Sequence, residues 1–242
     1  MAPMVSIVIP AFNEAARIGN TIQKVHQFLE RFPFPYELII VDDGSVDETP
    51  RIVERNSFPG LRLLRNPSNH GKGYAVRQGV LASSGDYVLF SDADLSTPIE
   101  ELEKLMGVAL KEGADVVIGS RAVDRSMIEV HQSPMRESGG ILFNFAVRLI
   151  LGLRLHDTQC GFKLFRRERV VDIFQKLTTD GFGFDPELLF LAARQNLKIR
   201  EVPVRWSHAE GSKIRFLSDG VGMFLDLVRI RWNSISGKYA NE

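Results

Sequence analysis

The chain has a single cysteine, Cys160, in 242 residues. That excludes an internal disulfide and any zinc site built on several thiolates. It has no long hydrophobic run. The most apolar stretches, 141–153 and 216–230, are broken by Asn144 and Arg148 and by Asp219, Asp226 and Arg229, which leaves them short of the ~18–20 apolar residues a membrane span needs. The opening MAPMVSIVIP carries no charged segment before a strand-like run, so no signal peptide and a cytoplasmic chain are expected. The five histidines show no metal-ligand spacing. Net charge is absent too: 30 Lys+Arg balance 30 Asp+Glu, which speaks against a generally basic nucleic-acid binder. Repeats, low-complexity tracts and linkers are also missing, so one continuous domain over residues 1–242 is expected.

The zero charge conceals two opposite halves. Residues 1–120 carry 11 basic and 16 acidic side chains and residues 121–242 carry 19 and 14, so the halves stand at −5 and +5. Such asymmetry bears on partners rather than on fold. In the first half, short β-branched runs alternate with helical patterns. Strands are expected at 5–9, 38–41, 61–64, 87–90 and 116–118, and helices at 15–32, 49–55, 72–82 and 99–112. Ile18, Ile22, Val25 and Leu29 repeat at i, i+4, i+7 and i+11, the stripe of a helix packed on one face. Pro98, with Ser96 or Thr97 as cap, marks the start of the last of these helices. The alternation implies βαβ units and an α/β fold with a mostly parallel sheet, which binds ligands at the carboxyl ends of its strands. Beyond Arg121 it stops. Residues 124–134 are expected as a mobile polar loop, with helices at 137–151, 186–195 and 216–232 and strands at 162–165 and 199–204.

The chemistry-bearing residues of the first half fall where such a sheet presents ligands. Asp42-Asp43-Gly44-Ser45 follows the second strand and Asp92-Ala93-Asp94 the fourth. Two carboxylates two residues apart can reach one divalent metal. Hard oxygen donors suit Mg2+ or Mn2+, with sugar-diphosphate oxygens completing the shell. Either motif alone is more often a turn or a helix cap; both together, in a chain without a Cys/His cluster, favour the ligand reading. Asn69-His70-Gly71-Lys72-Gly73 precedes a helix and can turn amides toward a phosphate. It is not a P-loop, since Gly73 stands where Ser or Thr is required, and it lacks the third glycine of a dinucleotide fingerprint. Kinase and dehydrogenase readings fall away.

Four motifs in order resemble the signature series of glycosyltransferase family 2, inverting enzymes of GT-A fold that use nucleotide sugars. They are Val8-Ile9-Pro10-Ala11-Phe12-Asn13-Glu14, Val41-Asp42-Asp43-Gly44-Ser45, Asn69-His70-Gly71-Lys72-Gly73 and Asp92-Ala93-Asp94. The stretches from Ser91 to Pro98 and from Asp157 to Phe165 are similar to the dolichyl- and polyprenyl-phosphate sugar synthases within that family, nearer the β-glucosyl than the mannosyl branch. The resemblance runs from about residue 4 to 216. It implies a Rossmann-like GT-A domain whose 1–120 half binds the nucleotide sugar and whose 121–242 half binds the acceptor. It implies Pro10, Phe12, Glu14 and Asp42 around uracil and ribose, with Lys72 nearby. Asp92 falls on ribose or sugar, and Asp94 with Asp92 on the metal; Ser96 stands where the mannosyl branch has a Gln ligand. The resemblance places Arg121 and Arg136 at the acceptor phosphate and Lys213 near the donor diphosphate. A guanidinium fork suits phosphate oxygens, and the plain alternative for each cation is a solvated surface charge.

The implied reaction moves a hexose, glucose from UDP-glucose or mannose from GDP-mannose, to a polyprenyl or dolichyl phosphate. A family 2 transferase with a sugar or protein acceptor is the other reading. An alcohol acceptor needs a general base, whereas a lipid monophosphate is already ionised near neutral pH, its second pKa lying near ~6. Asp157, and after it Asp185 or Glu187, is therefore a candidate either as base or as positioning group. Cys160 reads as a packed side chain, and His208 as structural as readily as phosphate-binding. Met223-Phe224-Leu225 and Leu227-Val228-Ile230 read as core rather than lipid groove. Because the acceptor is a membrane molecule, peripheral contact at the cytoplasmic membrane face is expected. The basic half and the amphipathic 216–232 segment, with Arg229, Arg231 and Trp232 near its end, would provide it.

Overall fold

The computed structural model describes residues 2–209 and 216–239, with the backbone alone for 216–219. The apolar runs of the first half form β1 (Val5–Ala11), β2 (Tyr36–Asp42), β3 (Leu61–Arg65), β4 (Tyr87–Ser91) and β5 (Val116–Ser120). Between them lie α1 (Ile18–Leu29), α2 (Thr49–Arg55), α3 (Lys72–Ala82) and α4 (Glu101–Glu112). The second half supplies β6 (Ile128–Val130), α5 (Pro134–Leu151), β7 (Phe162–Arg166), α6 (Arg167–Lys176), α7 (Phe184–Arg194), β8 (Ile199–Pro203), β9 (Trp206–Ser207) and α8 (Phe216–Ile235). Seven strands join in the order β3-β2-β1-β4-β7-β5-β8. All pairings are parallel except those of β7, which lies antiparallel between β4 and β5. A strand from the second half thus sits in the middle of the sheet.

Period-two alternation sends each strand into two layers. Val5, Ile7 and Ile9 of β1 join Ile18, Ile22 and Val25 of α1 and Leu102 and Leu105 of α4. Val8 turns the other way, to Val76 and Val80 of α3 and Phe184 and Leu188 of α7. Each fully buried side chain of this size contributes roughly 1.5–3 kcal/mol of transfer free energy, and burial on both faces is why these strands read as continuous apolar runs. α3 packs so close to β1 that a Cβ on Gly79 would sit 2.3 Å from Val8 Cγ1. That approach brings the loop preceding α3 over the carboxyl ends of the strands.

Three expectations need correction. Residues 124–134 are not a featureless loop. Asp124 accepts from the Ser126 amide to cap a 3-10 turn over Arg125–Met127, and β6 then pairs in parallel with β9; three residues are too few to show a period. α6 was not expected, because five of its ten residues are charged and its buried stripe is only Val170, Ile173 and Phe174. Neither Ser96 nor Thr97 caps α4, which begins at Glu101. The Ser96 amide donates to Asp94 Oδ1 and Thr97 Oγ1 lies 3.7 Å from Cys160 Sγ, so both residues are engaged elsewhere.

Candidate active site

The carboxyl ends of β1 and β2 are tied together by side chains. Asn13, at φ +52°, donates its amide to Ser45 Oγ, and its Oδ1 accepts from the Val46 amide. The Glu14 amide donates to Thr49 Oγ1, while the Glu14 carboxylate pairs with Arg17 at 2.7 Å. Pro10, Phe12 and Glu14 border this loop as half-buried residues. Asp42 and Asp43 differ sharply. Asp43 is structural: its Oδ1 accepts from Asn66, and its Oδ2 accepts from the His70 and Gly71 amides at 3.1 and 2.8 Å. It clamps the glycine loop that opens α3, where Gly71 has φ +111° and a Cβ would meet the Asp180 carbonyl at 2.5 Å. Asp42 is 1% exposed and its Oδ2 has no hydrogen-bond partner, the Arg65 guanidinium standing 3.7 Å away. A buried acceptor left open is costly unless something donates to it.

At the end of β4, Lys72 Nζ lies 2.6 Å from Asp92 Oδ1 and over the Phe90 and Phe182 rings. Burial works against the ammonium, but Asp92, Asp185 and Asp94 outweigh it and raise the Lys72 pKa. Asp94, half-buried, keeps one oxygen on the Ser96 amide. No group of three or more His, Cys, Asp or Glu converges among the described residues. The donor set Asp92 and Asp94 therefore fits a hard cation that takes most of its shell from phosphate oxygens and water, not a self-contained protein cage. Asp92 is positioned by the absence of a side chain opposite it: a Cβ on Gly161 would lie 1.9 Å from Asp92 Oδ2. Gly161→Ala should swing that carboxylate off Lys72. The expected result is at least a tenfold loss of turnover with an unfolding midpoint near that of the parent, read by initial rates and thermal melts. An unchanged rate would mean that the Asp92 position is immaterial.

Across the sheet, Arg121 and Asp157 form a bidentate pair, Nε to Oδ2 at 2.6 Å and Nη2 to Oδ1 at 2.9 Å, with the Arg121 amide also donating to Oδ2. Burial would push the Asp157 carboxyl up, but the Arg121 charge and hydrogen bonds, with Lys163 beyond, hold it at about 2. Glu201 of β8 fastens the same corner, accepting from the His156 and Asp157 amides and from Ser120 Oγ. Arg121 also lies 5.5 Å from the Trp206 ring. It opens onto a cavity of about 350 Å³ lined by four arginines, Arg121, Arg125, Arg136 and Arg148, and by the apolar Ile128, Ile141, Phe145 and Trp206. Gln159, on the same wall, has a buried Nε2 without a partner.

The remaining candidates separate cleanly. Lys163, fully buried in β7, holds Asp185 Oδ1 at 2.6 Å and the Cys160 carbonyl at 2.5 Å. Glu187 is saturated by Thr178, Thr179 and Tyr239, which leaves it no role as a base. Burial and the Asp157 charge push the Cys160 thiol up to about 11, so it stays neutral. The His208 amide extends the β6–β9 ladder by donating to Val130. Lys213 lies outside the described residues. Read from sequence alone, Gln159, Lys163 and Glu201 had no role of their own, and Asp43 only a place in the 42–45 motif. For Lys163 the visible signal was a lone charge inside the strand pattern FKLF; Glu201, beside Arg200 in IREVP, gave none.

The family model described as glycosyl transferase family 2 matches residues 6–174. Curated relatives include a dolichyl-phosphate beta-glucosyltransferase of Dictyostelium discoideum, 37% identical over 96% of this chain and 75% of its own length. Those of Saccharomyces cerevisiae and Homo sapiens are 37% and 32% identical, covering 97% and 98% of this chain and 76% and 78% of theirs. Among solved structures, glucosyl-3-phosphoglycerate synthase from Mycobacterium tuberculosis aligns at TM-score 0.70 and 23% identity, over 97% of this chain and 80% of that one. It was crystallised with Mn2+, UDP and glucosyl-3-phosphoglycerate. The same enzyme with Mn2+, UDP-glucose and phosphoglyceric acid gives 0.71 at 23% identity. At that identity the likeness carries the fold, which is GT-A. The family model and the near full-length relatives agree with the motif order at the strand ends, and the chain belongs to glycosyl transferase family 2.

Proposed function

We propose that this chain transfers glucose from UDP-glucose to a dolichyl or polyprenyl phosphate with inversion, giving a β-linked lipid-phosphate sugar. The observation that carries the reading is the cavity beside Asp157, where four arginines face an apolar wall. Phosphate joined to hydrocarbon is the chemistry such a lining takes up. In this reading residues 1–120 hold the donor and 121–242 the acceptor, which is also where the −5 and +5 fall. The open Asp42 Oδ2 accepts from an N–H of the uracil ring, between Pro10, Phe12 and Glu14, and Lys72 and Asp92 meet ribose and sugar. Mg2+ or Mn2+ would be held by Asp94 with Asp92, and would supply charge neutralisation at the donor diphosphate. Lys213 is assigned to the same diphosphate.

Arg121 and Arg136 place the acceptor phosphate, and Gln159 adds a donor. A phosphate oxygen attacks the anomeric carbon, the bond to the UDP oxygen breaks, and the electron pair leaves with UDP. No proton has to be removed from an acceptor that is already ionised. Asp157 therefore serves as the anchor that aims Arg121 rather than as a base. The chain works as a peripheral protein at the cytoplasmic face of a membrane. The test is a donor panel of UDP- and GDP-sugars with Mg2+ or Mn2+, against a short prenyl phosphate and a sugar alcohol. Glucosyl transfer from UDP-glucose to the phosphate is expected. Transfer to the alcohol alone, or from GDP-mannose alone, overturns the reading.

A further inference from the structure

Among the described residues no helix is long and apolar enough to cross a membrane, yet two helices are apolar on their outer faces. Fifteen large apolar side chains are exposed among the described residues, and eleven of them lie on α5 and α8. On α8, Val221, Leu225, Val228, Trp232 and Ile235 repeat at i, i+4, i+7, i+11 and i+14, each at least half exposed, opposite the buried Leu227 and Ile230. Part of the 223–230 segment is thus core, as its sequence suggested, while Phe224, Leu225 and Val228 face out. On α5, Leu142, Phe145 and Leu149 make a second stripe, 61–74% exposed. The two helices pack against each other. An apolar face of this kind is unusual on a protein that meets only water.

We infer that the outer faces of α5 and α8 rest on a bilayer surface carrying anionic lipid, and that α5 leads the lipid acceptor from that surface into the arginine cavity. The second clause rests on the acceptor proposed above. Ile141 and Phe145 carry it, because each is both exposed and part of the cavity wall. The outer face of α5 is therefore continuous with the place where a phosphate would sit beside Arg121. Charge selects the occupant. Exposed Arg148, Arg154, Arg229 and Arg231 stand on or beside the two helices. Among the described side chains of the two helices the acids are otherwise engaged: Glu137 bonds Arg125 and His131, and Asp226 is half-buried at Gly183. Two such cationic faces repel one another, which disfavours a second copy, whereas anionic headgroups complement them. Trp232 at the C-terminal part of α8 is the residue type that settles at a membrane interface.

Leu149→Glu and Trp232→Glu change side chains that do not line the cavity, and Leu110→Glu on α4 is the control, exposed but on the far half of the chain. Co-sedimentation with vesicles of phosphatidylcholine and phosphatidylglycerol (about 7:3) should capture the parent and the control. Binding of either helix variant should be weaker by at least ~10-fold, since a charge replaces buried hydrocarbon. The same variants should lose transfer to a long-chain polyprenyl phosphate embedded in those vesicles, yet retain parental transfer to a water-soluble short prenyl phosphate. Equal vesicle binding by variants and parent overturns the surface. So does a concentration-dependent dimer that the same substitutions dissociate, because a second copy would then be the occupant. Lost vesicle binding with unchanged transfer to the embedded acceptor overturns the route along α5. Failure of the parent on every prenyl phosphate, with vesicle binding intact, would fall on the acceptor assignment instead.

Discussion

Asp157→Asn is expected to slow glucosyl transfer by about 10²- to 10³-fold while UDP binding stays within about threefold of the parent. The carboxylate accepts two guanidinium bonds and the Arg121 amide. An Asn turns an NH2 toward one of those donors. Losing one charge-assisted hydrogen bond costs roughly 1.5–3 kcal/mol, and a misplacement of about 1 Å at a reacting centre is worth about 10² in rate. The pH dependence separates an anchor from a base. With its pKa held at about 2, Asp157 is ionised throughout the working range. Its folded pKa lies below the ordinary carboxylate value of about 4. The stability it contributes is therefore full above pH ~4 and lost only on acidification toward 2, with no change between pH 5 and 8. The acid limb of the rate profile should instead fall near pH ~6, where the acceptor phosphate takes its second proton. It should persist in the slow Asn variant and move upward with a less acidic prenyl phosphonate. An acid limb that disappears in Asp157→Asn would make Asp157 the base after all.

The strand-end motifs were legible in the sequence because strand ends in a parallel sheet are marked by the switch from apolar runs to Asp and Gly. The 42–45, 69–73 and 92–94 motifs fall where the chain leaves β2, enters α3 and leaves β4. The division of labour inside those motifs was not legible. Asp42 and Asp43 are neighbours of one residue type, yet one clamps a loop and the other holds an open oxygen, which depends on where Asn66 and the Gly71 amide come to lie. The insertion of β7 between β4 and β5 was hidden for a different reason. FKLFR carries the strand signal, but strand order is a long-range property that no local pattern encodes. That insertion sets Lys163 beside Phe90 of β4 and Ile118 of β5 in register, and so places a charge in the centre of the sheet. The cavity's apolar wall was missed because the 137–151 pattern shows a helix but not which of its apolar side chains stay uncovered, and Ile141 and Phe145 are two that do.

That buried charge carries the second large effect. Lys163→Met should lower the unfolding midpoint by about 10 °C at pH 8. Removing one partner of a buried pair costs about 3–5 kcal/mol, and each kcal/mol is worth ~2–4 °C in a chain of this size. The pair is tight, at 2.6 Å with both side chains at most 4% exposed. Burial already raises the Asp185 pKa in spite of Lys163, and without the ammonium it must rise further. A group whose folded pKa lies above its unfolded value contributes stability that is present at low pH and lost as pH rises through the folded value. The penalty of Lys163→Met should therefore be smaller at pH 5 than at pH 8, a trend that melts at the two pH values resolve. Adding Asp185→Leu removes the orphaned carboxyl and should recover most of the midpoint. Turnover should not recover with it. The ammonium also holds the Cys160 carbonyl, next to the Gly161 that faces Asp92 and three residues from Asp157, so the double variant keeps a stable sheet with a loosened loop between Asp92 and Asp157. A Lys163→Met midpoint within 2–3 °C of the parent at pH 8 would mean that the pair contributes little. A double variant with parental turnover would mean that the loop keeps its place unaided.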